Sequence, residues 1–72
     1  MVTQAEKDLI RLLKSLGFNM EDTIAVGTLA KTDEVIAELI RWIVEVYREK
    51  GEVTKEEIAK MLLVLKGDKK NP

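Results

Sequence analysis

The sequence predicts an all-α fold, a compact bundle of four helices over about residues 4–16, 20–31, 33–50 and 55–66. Three observations carry that expectation. Thr3 with Glu6 and Thr54 with Glu57 are both spaced as capping boxes, in which the threonine hydroxyl and the glutamate carboxylate each satisfy a free backbone N–H of the other residue. Apolar residues recur at helical spacing after each box. Gly17, Gly51 and Gly67 stand where the runs stop, and glycine best tolerates the left-handed conformation that ends helices.

The first helix follows from Thr3 and from Ala5, Leu9, Leu12, Leu13 and Leu16, with Gly17 as its stop. Asn19 is the cap of the second, and Glu21 and Asp22 lie in its first turn, where the helix dipole favours negative charge. The uncharged run from Thr23 to Ala30 is apolar or small on every side. Read as a strand it would have no partner in an otherwise helical chain, so a helix covered on both sides is expected. Gly27 costs such a helix about 1 kcal/mol relative to alanine. A close approach of the third helix would explain it, and Gly27→Leu would then overpack the contact by about 1–3 kcal/mol.

Thr32, Asp33 and Glu34 open the third helix, which stops at Gly51. Glu34, Glu38, Arg41, Glu45, Arg48 and Glu49 fall on one stripe, while the apolar remainder sweeps roughly 220° of the wheel, well beyond an ordinary surface helix. The third helix is therefore the central one. The fourth begins at Thr54 and turns Ile58, Met61, Leu62 and Leu65 to its core.

Composition narrows the function. The 72 residues suffice for one domain, set at 1–67, with a mobile tail at 68–72 that holds nothing apolar. Apolar residues at 46% exclude the disordered class. Twelve Lys and Arg against 13 Asp and Glu leave a net charge of −1, so the strongly basic signature of a nucleic-acid binder is absent. No apolar run is long enough to span a bilayer and no signal-peptide core opens the chain, so a cytoplasmic protein without a membrane partner is expected.

The strings Leu12-Leu13-Lys14-Ser15-Leu16-Gly17-Phe18, Glu21-Asp22-Thr23-Ile24-Ala25 and Leu29-Ala30-Lys31-Thr32, followed by a long helix and Thr54-Lys55-Glu56-Glu57-Ile58, resemble short all-helical proteins of Firmicutes bacteria. The resemblance covers most of the chain. It implies a helical fold and a bacterial cytosolic origin, and transfers no site residue. Gly27 and Thr28 depart from it, standing where bulkier aliphatic residues are expected.

Enzyme chemistry finds no support. With no Cys or His, thiol nucleophiles, imidazole bases and most transition-metal sites are removed, so no metal, cofactor or small-molecule substrate is expected. The carboxylate pairs Glu21/Asp22, Asp33/Glu34 and Glu56/Glu57 all lie in first helical turns, where the dipole wants them, and adjacent residues cannot face each other across a cleft as acid–base pairs do. Gly51 to Leu62 resembles the opening helix of a helix-turn-helix, but Gly67 to Pro72 is too short to be the recognition helix that follows it in that motif. Lys7, Arg11 and Lys14, and Lys66, Lys69 and Lys70, read more simply as solvated faces or helix-end cations.

Two expectations remain: foremost a protein-interaction module, a homodimer or a partner of another protein, and as the alternative a helix-turn-helix-like DNA-binding or regulatory component. Val35, Leu39, Trp42 and Val46 form a second seam on the third helix, beside Ile36, Ile40, Ile43 and Tyr47. On the fourth helix, Leu63 and Val64 point away from the core face. These six residues, Val35, Leu39, Trp42, Val46, Leu63 and Val64, are the candidate interface. Three neighbouring helices could instead cover both seams of the third.

Overall fold

A computed structural model describes residues 2–68, which form four helices: α1 (Gln4–Ser15), α2 (Met20–Ala30), α3 (Asp33–Lys50) and α4 (Lys55–Asp68). Each begins as its capping residues dictate. The Thr3 hydroxyl accepts from the Glu6 N–H while the Glu6 carboxylate accepts from the Thr3 N–H, at 3.2 and 2.8 Å. Thr54 and Glu57 repeat the pattern at α4. Asn19 accepts from the Asp22 N–H, and Thr32 from the Val35 N–H. The three carboxylate pairs lie in the first turns of α2, α3 and α4.

The helix ends are less uniform. α1 closes in a Schellman motif: Gly17, at φ +99°, donates to Lys14 C=O, and Phe18 N–H donates to Leu13 C=O. Gly51, at φ +81°, ends α3 by donating to Tyr47 C=O. α2 ends without a glycine. Lys31 takes φ +71° and ψ −43°, and Thr32 N–H donates to Ala30 C=O at 2.8 Å, a three-residue γ-turn that side-chain-bearing residues rarely adopt. This turn lets Lys31 and Thr32 alone reverse the chain from α2 into α3. Gly67 is not a stop, because α4 continues through it to Asp68. The expected tail at 68–72 thus begins one residue inside the helix, and residues 69–72 lie outside those described.

α2 and α3 form the middle of the bundle. Each packs against the other and against both α1 and α4, whereas α1 and α4 do not meet. The result is a thin molecule, 36 × 32 × 17 Å. The Thr3 hydroxyl also donates to Asp33 at 3.0 Å, fastening the start of α1 to the start of α3. Leu12 and Leu16, near the end of α1, line a groove with Ile43 and Tyr47 of α3, so α1 and α3 run side by side in the same direction.

The core holds Leu9 and Leu13 of α1, Val26 and Ala30 of α2, Val35, Ile36, Leu39 and Ile43 of α3, and Ile58 and Leu62 of α4. Val53, just before the Thr54 cap, is buried with Ile58 four helical positions on, the arrangement of a hydrophobic staple. The one buried polar side chain among the described residues, Thr23, donates to Asn19 C=O and so carries no unmet hydrogen bond. Two ion pairs tie α4 down, Lys55 to Asp22 of α2 and Lys50 to Glu57 across the α3–α4 turn. The hydrogen bond from Lys50, followed by that from the Thr54 N–H, holds the Glu57 carboxyl below the ordinary glutamate range, so its support is lost as pH falls through that lowered value.

Two expectations about α2 are corrected. Only Thr23, Val26 and Ala30 are buried, while Met20, Ile24 and Leu29 are exposed, so the helix is covered along one line and open on the rest. Gly27 makes no close approach to α3: a Cβ built there would meet nothing within 4 Å. With no contact to disturb, Gly27→Ala is expected to raise stability by about 0.8–1 kcal/mol through helix propensity alone. A urea midpoint unchanged or lowered relative to the parent would contradict the open site.

Candidate interaction surfaces

Of the six residues expected at an interface, four belong to the chain's own interior. Leu39 is fully buried and Val35 only 5% exposed, and Trp42 and Val46 pack half-buried against the same core. The physical reason is the position of α3. With α1, α2 and α4 all lying against it, α3 needs both apolar seams to fill a core to which the other helices contribute only two or three buried side chains each. The seam of Ile36, Ile40, Ile43 and Tyr47 is split instead. Ile36 and Ile43 are buried, Ile40 is half-buried, and Tyr47 is 47% exposed. Leu63 and Val64 are exposed, at 73% and 54%.

Three apolar surfaces result. The first is α4's outer face with Leu63 and Val64. The second is a groove of about 340 Å³ between α1 and α2, lined by Val2, Ile10, Met20 and Ile24, with Gly27 in its wall. Of the polar residues in its lining, Glu6 is engaged with the Thr3 N–H and Thr23 with Asn19 C=O, and Thr28 completes the wall. Sequence reasoning missed this groove, although the uncharged run from Thr23 to Ala30 held the signal: it is more apolar than one covered face requires.

The third surface lies on α3. Ala37, Ile40 and Val44 line a shallow depression with Arg41, Glu45 and Arg48. Val44 and Arg48 also border the adjoining groove of about 290 Å³ where α1 meets α3 beside Tyr47. An apolar edge thus runs along α3 from Ala37 to Tyr47, next to the exposed charges of Glu38, Arg41, Glu45 and Arg48. Among the described residues these four charges enter no ion pair.

The described residues present no group of three or more His, Cys, Asp or Glu side chains placed to hold a metal ion. No described helix is long and apolar enough to cross a membrane. No protein-family model, curated protein or solved structure matches the chain.

Proposed function

We propose that the chain is a non-enzymatic helical interaction module that associates with a second copy of itself. The observation that supports this reading is the apolar edge of α3, where Val44 and Tyr47 remain exposed beside half-buried Ile40 although α3 also supplies four buried side chains to the core. Apolar side chains grouped in a groove, rather than scattered singly, mark association surfaces, and two-fold pairing is the commonest way for one chain to cover such a patch. Exposed Lys7, Arg11 and Lys14 give the competing reading, nucleic-acid contact, but the net charge of −1 disfavours it.

Sedimentation equilibrium over a wide concentration range tests the proposal. The mass is expected to rise from 8.2 kDa towards twice that value. A single 8.2 kDa species at every concentration would remove the reading. Salt-sensitive retention on heparin by such a monomer would favour nucleic acid instead.

A further inference from the structure

The four charges beside the apolar edge of α3 stand in the order Glu38, Arg41, Glu45, Arg48. Their signs alternate, and their positions are symmetric about residue 43: Glu38 and Arg48 lie five residues to either side, Arg41 and Glu45 two. Reversing the direction of these four, with Glu34 and Glu49 at the ends of the stripe left outside the match, therefore turns each of them into its opposite. At 100° per residue, the charged four occupy an arc of about 80°, and Ala37, Ile40, Val44 and Tyr47 occupy the neighbouring arc of about 80°.

We infer that α3 pairs antiparallel with α3 of a second copy, about a two-fold axis at the level of residue 43. This rests on the self-association proposed above and assigns its surface and register. A two-fold perpendicular to both helices keeps each flank facing the same flank of the partner. Charged stripe then meets charged stripe, with Glu38 beside the partner's Arg48 and Arg41 beside the partner's Glu45, and each pair occurs twice. On the other flank the apolar residues are centred one position lower, at residue 42, so Ile40 lies near the partner's Val44, and the small Ala37 near the partner's bulky Tyr47, with an axial offset of about 3 Å. A parallel pairing, about a two-fold along the helices, would swap the flanks and set each charged stripe against the partner's apolar edge.

The state of the single chain agrees with this arrangement. All four charges are exposed, and among the described residues none is committed to an ion pair within the chain. Arg41 and Glu45 are four apart on one helix yet form no ion pair, so both are available to a partner. Exposed pairs of this kind add little affinity singly; they fix orientation and exclude wrong registers. The apolar edge supplies the attraction, and its narrowness places the dimer among small, readily reversible interfaces.

The test compares the unmodified chain with Arg41→Glu and with the double variant Arg41→Glu/Glu45→Arg, by sedimentation at low salt. Arg41 is exposed and unpaired, so far-UV circular dichroism should be the same for all three. The single reversal sets like charges against each other twice and is expected to weaken dimerisation about tenfold or more. The double variant no longer alternates, but it restores opposite charges between position 41 of one copy and position 45 of the other, and should recover dimerisation. If Arg41→Glu dimerises like the parent, the α3 pairing is wrong while self-association stands. If the reversal weakens dimerisation and the double variant does not recover it, the assigned register is wrong. If the unmodified chain never exceeds 8.2 kDa, both proposals fall.

Discussion

Leu39→Ala is expected to lower the stability of the monomer by about 2–5 kcal/mol, the range for truncating a fully buried leucine whose surroundings relax only in part. Leu39 has no exposed surface and lies midway along α3 in the core cluster, together with Leu9, Ile36 and Ile43. A domain of this size has a total stability of about 4–11 kcal/mol, so the variant should approach the unfolding threshold at room temperature. Leu63→Ala removes the same atoms from a side chain 73% exposed and should stay within about 0.5 kcal/mol of the parent. Trp42, the single tryptophan, packs half-buried against the core and reports unfolding by fluorescence. Urea titrations at low protein concentration keep any association out of the comparison. Equal midpoints for the two variants would show that Leu39 is not a core residue.

Lys31→Gly is expected to act in the opposite direction, raising stability by about 1–2 kcal/mol. A side-chain-bearing residue held in a sparsely populated region of positive φ costs about 1–3 kcal/mol, and Lys31 at φ +71° carries that strain with its side chain in solvent. Glycine adopts the conformation freely, although its greater freedom in the unfolded chain takes back about 0.5–1 kcal/mol. The gain rests on backbone geometry and not on charge, so Lys31→Ala, which keeps a Cβ, should leave the unfolding midpoint nearly unchanged. A Lys31→Gly variant no more stable than Lys31→Ala would show that the γ-turn carries no strain.

Helix starts were legible to within a residue because capping is local: a hydroxyl or amide three residues from the N–H it satisfies is a pattern of the sequence itself. Helix ends were legible only where glycine supplies the turn. Lys31 gives no such signal, since its conformation is imposed by the two-residue link between α2 and α3. Gly67 gave a false one, because α4 carries on through a glycine that nothing forces out of the helix. On α3 the wheel identified both apolar seams but not which of them faced inward. That choice depends on where α1, α2 and α4 lie around it, so Val35 and Leu39 belong to the core, while Tyr47 of the other seam lies at the surface beside Val44, which neither seam contained. The charge stripe on the same helix was visible from spacing alone; that its free charges border an apolar edge needed the fold.

The separation of α1 from α4 bears on how the molecule opens. Both lean on the α2–α3 pair and neither supports the other. When α4 lifts away, Ile58 and Leu62 leave the interior and bare the parts of α2 and α3 that they covered, while Leu9 and Leu13 of α1 remain packed with α2 and α3. Excursions short of complete unfolding are thus open to either outer helix separately, as cooperative units smaller than the domain. Amide protons of α3, which supplies four of the buried core side chains and packs against all three other helices, would then be the last to exchange with solvent.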